Sequence, residues 1–259
     1  MPSINEEGFL SQDINEYINQ NHTKHKKTFD LINDLNKYTQ SLMFKINAHE
    51  NVFQELILTA LYIRALQLFQ SIVILSEKGI DSTTRVVMRS LMEVMFTLVA
   101  CAKNKEIAKR YILNDKVDSL KTIRRVKQYK GNLLLPNIQR ILNQEKILDN
   151  EIKNENIVPI SIEEMSKLAN LHSHYLTVYD VLSRTVHVKI KDIEQNLNLS
   201  ENKFIWGPKD VDIEYLLLTA AGFIIIISVN INDFFKIDTS EKLENFNKRT
   251  VELLIKSNS

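Results

Sequence analysis

Apolar residues recur along this chain at the three- and four-residue steps of a helix. Leu31, Ile32, Leu35, Leu42, Met43 and Ile46 place an amphipathic helix over 30–49. A strongly apolar helix follows over 52–75, and Gly79 is a natural stop for it. Asp81 or Ser82 can then cap a helix through Ala102, because each offers a side-chain oxygen to the free amides of a first turn. The charged stretch 103–130 continues as an exposed helix, and Gly131 and Pro136 break it. Ser161-Ile162-Glu163-Glu164 has the capping-box form and predicts a helix running to about Lys191. The segment 211–235 reads as a helix buried on nearly all sides, and Thr239 or Ser240 could cap a last helix to Ile255.

The pattern therefore predicts an all-α bundle of about seven to nine helices around a central apolar helix near 211–235. Residues 1–28 read as a polar N-terminal arm and 29–259 as a single helical domain, with 103–160 as a charged helical excursion. Five Gly and four Pro in 259 residues agree with long helices and short loops, since sheet-rich folds need more turn residues.

Charge and cysteine content remove several classes of function. A net charge of +1 gives no global field for nucleic acid or an anionic membrane. Cys101 is the one cysteine, in an apolar stretch, and reads as a buried small hydrophobe. The first ten residues hold Glu6 and Glu7 and no apolar core, so a cytoplasmic protein is the expectation. Tyr215–Asn232 is uncharged and close to the length of a membrane span. Gly222, Ser228, Asn230 and Asn232 interrupt it and no Lys/Arg cluster orients it, so a buried core helix and no membrane partner are expected.

Chemistry could sit in two places. Arg64 is the only charge between Glu55 and Glu77, and Glu93 the only one between Arg89 and Lys103. Arg85, Arg89 and Glu93 share one helix face at steps of four. A buried charge needs a partner, so Glu93 is expected to pair with Arg89, with Arg64 across from the neighbouring helix, or with both. Such a group serves either as a structural ion pair or as a site for an anion, since Arg suits phosphate. On the helix from Ser161, Tyr175, Tyr179, Ser183 and His187 recur every four residues, and Arg184 lies one turn before His187. At 100° per residue, His172, Tyr179 and Ser183 fall within the apolar face of Leu168, Leu176, Leu182 and Val186. A His–Arg pair beside a hydroxyl could work on a phosphodiester, and a set of hydrogen bonds within the core would use the same residues.

The stretch 103–130 carries ten Lys/Arg against Glu106, Asp115 and Asp118. It could follow a phosphate backbone, or form a solvated face offset by Glu145, Asp149, Glu151, Glu155, Glu163 and Glu164; the solvated face is the expectation. There is no Walker loop, no GxGxxG after a strand and no His-Glu-x-x-His. His22 and His25 read as exposed residues without partners, so no metal and no cofactor is expected.

Arg85-Val-Val-Met-Arg89-Ser-Leu-Met-Glu93, followed later by Tyr179-Asp-Val-Leu-Ser183-Arg-Thr-Val-His187, resembles a family of bacterial helical proteins of unknown function. Its members carry an R-x-x-x-E helix and a later Y-x-x-L-S-x-x-x-H helix. The likeness spans about residues 50–235 and implies that Arg89, Glu93, Tyr179, Ser183 and His187 converge in one pocket. A looser likeness is to the HEPN ribonucleases, helical bundles that often dimerise and use an Arg and a His four to six residues apart. Here Arg184 and His187 have only two residues between them, so Arg85 or Arg89 would have to substitute.

Together these readings lead to an expected RNA-directed, metal-independent nuclease or toxin-like effector of bacterial defence, as a homodimer or with a partner protein encoded nearby. His187 would move the proton, Arg89 and Arg184 would hold phosphate and Glu93 would orient an arginine, with Arg85, Arg64, Tyr175, Tyr179 and Ser183 lining the site. The alternative is a non-enzymatic helical module that binds a partner protein or a small anionic ligand.

Overall fold

A computed structural model describes residues 3–128, 138–186, 194, 196–198, 203–210, 212–237 and 241–257. The fold is all-α. After short turns at Ile4–Glu7 and Gly8–Leu10, the chain forms α1 (Ile14–Lys24), α2 (Lys26–Met43), α3 (Phe53–Glu77), α4 (Asp81–Lys103), α5 (Lys105–Gln128) and α6 (Ile138–Asn154). Next comes α7 (Ile162–Leu168), then a helical run of His172–His174, a π-helical turn at Tyr175–Tyr179, and α8 (Asp180–Val186). Two antiparallel strands of two residues each, β1 (Leu197–Asn198) and β2 (Lys203–Phe204), precede α9 (Ile213–Phe235) and α10 (Glu241–Ser257).

The core forms where the apolar stripes of α2, α3, α4 and α9 face one another, and α9 touches α2, α3, α4 and α10. Tyr62 holds three of these helices together: its hydroxyl donates to the Thr39 carbonyl at 2.8 Å and lies 3.3 Å from Ser228 Oγ. Burial raises its pKa, which keeps it a neutral donor in the apolar interior. Gln54 reaches across at 2.7 Å to satisfy the carbonyl of Cys101, one of the orphan acceptors at the end of α4. The helices α3 and α9 are both long and apolar enough to cross a membrane by length and composition.

Several helix ends differ from the expected ones. Gly79 does end α3: it sits at φ +67°, and the Ile80 amide bonds back to Leu75. Neither Asp81 nor Ser82 is the N-cap of α4, because the helix already begins at Asp81 and Ile80 occupies the cap position. The charged helix is not a continuation of α4. Asn104 is extended, and its Oδ1 accepts the Glu106 amide at 2.8 Å, starting α5 afresh. Ser161 caps as expected, taking the Glu164 amide at 3.1 Å.

The helix from Ser161 does not run unbroken to Lys191. Asn170 adopts φ +61°, and the Leu171 amide bonds to the Ser166 carbonyl at 2.8 Å, a Schellman stop built on Asn in place of Gly. Lys103 then covers the freed Ala169 carbonyl at 2.6 Å. This break, with the π-helical turn after it, shifts the face computed at 100° per residue, so Leu176 is 62% exposed and not part of the apolar face. The expected continuation beyond Val186 lies outside the described residues.

The basic helix α5 is zipped to acidic α6. Lys116 pairs with Glu151 and Glu155, Arg124 with Asp149 and Glu145, and Lys127 with Glu145. Arg110 reaches Glu164 on α7. With Lys121 on Asp118, five of the ten Lys/Arg counted in the sequence are therefore met by carboxylates of the same chain.

Candidate functional site

The R-x-x-x-E motif lies on α4, and Tyr179–Val186 of the Tyr motif lies on the end of the π-helical turn and on α8, which packs against α4. Arg89 Nε donates to Glu93 Oε1 at 3.2 Å, within one helix turn. Arg89 Nη2 donates to the Tyr179 hydroxyl at 2.8 Å, and that hydroxyl donates to Glu93 Oε1 at 2.7 Å. The three groups form a closed triangle of three hydrogen bonds. The Arg89 guanidinium also stands 4.9 Å from the centre of the Tyr179 ring.

Aromatic packing extends the triangle. Tyr175 and Tyr179 stack at 4.8 Å, His172 stacks on Tyr175 at 5.7 Å, and Phe96 of α4 lies 6.3 Å from both tyrosines. The two stacked rings stand at the first and last residues of the π-helical turn Tyr175–Tyr179. His172 Nδ1 also lies 3.1 Å from Ser166 Oγ. Ser183 directs its hydroxyl back to the Tyr179 carbonyl at 2.7 Å.

Burial raises the Tyr179 pKa, the hydrogen bond to Glu93 raises it further, and Arg89 opposes both. The phenol is accordingly a neutral donor at physiological pH. Desolvation works against the Arg89 charge, but its bonds to Tyr179 and Glu93 outweigh that and hold its pKa above the ordinary value.

Arg85, one turn earlier on α4, has a separate set of partners. Its Nε lies 3.1 Å from both carboxylate oxygens of Asp81, and its Nη2 donates to Asp212 at 2.9 Å. Asp212 is the left-handed residue (φ +59°) immediately before α9.

The structure thus brings Arg89, Glu93 and Tyr179 together, with Tyr175 and Ser183 alongside and Arg85 next in line. Arg64 does not join them. It is exposed on α3 and has no ion-pair partner among the described residues, so the expected pairing across to Glu93 is not formed. The reason is that α3 is apolar nearly all round yet exposes a stripe that includes Leu56, Ile63 and Ile74, so an apolar setting in sequence did not mean burial. Glu93 is less buried than its neighbours suggested: its side chain is 39% exposed, against 19% for Arg89. His187 lies outside the described residues. Arg184 belongs to α8, and its side chain is likewise outside them.

The reading of His22 and His25 as exposed and without partners is overturned. His25 is 13% exposed and bridges Asp210, at 2.9 Å from Nε2, and Glu214, at 3.0 Å from Nδ1. His22 stacks on Phe29 at 4.1 Å and meets Glu77 at 3.0 Å. Sequence reasoning also missed Asp81, Asp212 and the segment leading into α9; only the i, i+4 step from Asp81 to Arg85 was visible in the chain. Among the described residues no group of three or more His, Cys, Asp or Glu side chains could hold a metal ion.

The model of a family of unknown function (DUF5677) matches residues 55–204 of the 259, a span that contains both motifs. No curated protein matches the chain, and no solved structure does. The looser likeness to HEPN ribonucleases finds no support in these comparisons.

Proposed function

We propose, for a chain that belongs to the DUF5677 family of unknown function, that it is a helical binding module which takes an anionic, phosphate-bearing ligand at the Arg85–Arg89 face of α4. The observation that carries this reading is the bracing of Arg89. A guanidinium has five N–H donors, and Glu93 and Tyr179 take one each. The other three have no partner among the described residues, in a side chain whose plane is already set by a carboxylate, a hydroxyl and an aromatic face. A pre-oriented Arg fork loses little entropy when it meets a phosphate, and holding it in advance is how proteins prepare such sites.

The test is calorimetric titration of the full chain with inorganic pyrophosphate, and filter retention of end-labelled RNA, both in EDTA. Wild type should bind, and Arg89→Ala should bind at least about tenfold more weakly, as loss of a charge-assisted bond implies. Wild type that binds neither probe would rule the reading out.

The endoribonuclease reading uses the same arginine and adds proton transfer at His187 with Arg184 as a second phosphate ligand. It draws on the π-helical turn, a distortion that recurs at functional sites and here ends eight positions before His187 in the sequence. Glu93 and Tyr179 hold each other, so neither is a free base, which favours binding over catalysis. Inspecting the retained RNA for cleavage, with His187→Ala beside wild type, separates the two readings. Cleavage by wild type that His187→Ala abolishes would put the nuclease ahead.

A further inference from the structure

We infer that Asp212 is an exchangeable gate on the Arg85–Arg89 face, an inference that rests on the anion-binding reading above. At rest this face is not cationic. Two guanidinium groups, Arg85 and Arg89, stand against three carboxylates, Asp81, Glu93 and Asp212. An incoming phosphate gains little from such a face until one carboxylate withdraws.

The three carboxylates are not equally committed. Asp81 is 5% exposed and meets Arg85 through both oxygens from one helix turn away. Glu93 is held twice, by Arg89 and by the Tyr179 hydroxyl. Asp212 is 52% exposed, comes from a different element, and contacts Arg85 through a single oxygen at 2.9 Å. It is the carboxylate that can leave without unfolding α4 or parting α4 from α8.

The backbone around Asp212 suits exchange. The residue occupies the left-handed region at φ +59°, a conformation that is unfavourable for most residues with a Cβ and that Asp tolerates better than most. The segment before and after it is anchored elsewhere. The Lys209 amide donates to the Gly79 carbonyl at 3.1 Å, and the Tyr17 hydroxyl donates to the Lys209 carbonyl at 2.9 Å. Lys24 and His25 hold Asp210, while His25 and Thr28 hold Glu214. When Asp212 releases Arg85, the strap (Lys209 and Asp210 before it, Glu214 after it) therefore stays attached to α1 and α2, ready for it to close again. Arg85 and Arg89 lie within the family-matched residues 55–204 and Asp212 lies beyond them, so the gate is contributed by flanking sequence.

The test is titration of the full chain and of Asp212→Asn with inorganic pyrophosphate. Asn is nearly isosteric and tolerates the left-handed conformation, so the variant removes the charge and keeps the backbone. Binding should tighten roughly two- to fivefold, the range set by loss of one competing exposed ion pair. Amide exchange is a second readout that needs no variant: saturating pyrophosphate should speed exchange of the Leu216 amide, which bonds to the Asp212 carbonyl at 2.8 Å, in wild type. Equal or weaker binding by Asp212→Asn, with unchanged exchange in wild type, overturns the gate and leaves the anion site standing. Absence of binding by both chains overturns the anion site and the gate with it. Binding by Asp212→Asn alone supports the gate.

Discussion

The Tyr179 hydroxyl donates to Glu93 Oε1 at 2.7 Å, joining residues 86 positions apart in the chain. Because the same hydroxyl accepts from Arg89, one phenol ties the two charged residues of α4 to the helical run that packs on it. Removing that oxygen while keeping the ring is the cleanest way to weigh the triangle. Tyr179→Phe should retain the stacking with Tyr175 and lose about 1 kcal/mol of stability, the usual contribution of such a bond. In a double-mutant cycle with Arg89→Ala, urea unfolding should show coupling of at least about 0.5 kcal/mol. Strict additivity would mean that the contact contributes nothing in solution.

The Tyr179 phenol should titrate late. Burial and then the Glu93 carboxylate raise its pKa above the ordinary value. A folded-state pKa above the unfolded one stabilises the fold while the group is protonated. That contribution is whole below about pH 10, the ordinary phenol value, and is lost as pH rises through the folded pKa. The difference in ultraviolet absorbance between wild type and Tyr179→Phe should therefore show the phenolate band appearing at higher pH than in free tyrosine. A band at the ordinary pH would contradict the described burial.

Cys101 gives an independent check on the packing of α4. It is fully buried, and burial alone pushes its thiol up to about 12. The thiolate is the reactive form, so an aromatic disulfide reagent at pH 8 should label folded protein very slowly and denatured protein at once. Rapid labelling of the native chain would mean that the end of α4 is open.

Two glycines should respond in opposite ways to alanine. Gly79 has φ +67°, and a Cβ there would meet the Tyr17 hydroxyl at 2.7 Å and the backbone of Lys209 at 2.8 and 2.9 Å. Gly79→Ala should thus cost about 1–3 kcal/mol and loosen the strap that passes over it. A Cβ on Gly222, inside α9, would meet nothing within 4 Å. Gly222→Ala should stabilise by about 0.5–1 kcal/mol, because alanine loses less backbone freedom in a helix. Melting curves of the two variants, measured side by side, decide both.

The Asn104 cap is a smaller test of how α4 and α5 are separated. Its side chain accepts the Glu106 amide at 2.8 Å, so Asn104→Ala should lower stability by about 1 kcal/mol. Asn104→Asp should be nearly neutral, since Asp serves the same amide. Equal losses in both would show that the cap is not what starts α5.

What the sequence by itself determined is the part governed by local periodicity and bulk chemistry. The apolar steps of α3 and α9, the Gly79 stop, the Ser161 cap and the burial of Cys101 all depend on residues near in sequence or on simple insolubility. The spacing of Arg89 and Glu93 was equally legible, because i and i+4 meet on any helix. The resemblance to a family of unknown function was also legible, through the order of two short motifs.

Tertiary structure alone decided which polar groups meet. Glu93 chose Tyr179 over Arg64 because α8, and not the exposed flank of α3, lies against that side of α4. Asn170 hid a helix stop that Gly would have announced, and the π-helical turn then rotated Leu176 out to solvent. His25 found Asp210 and Glu214, more than 180 positions away, only because Asp210 and the first turn of α9 lie against the start of α2. Each of these contacts depends on how separate helices are placed, and side-chain spacing within one helix carries no record of that. The physical reason is that hydrophobic burial is non-directional: it selects which faces turn inward, and the packing of whole elements then chooses their polar neighbours.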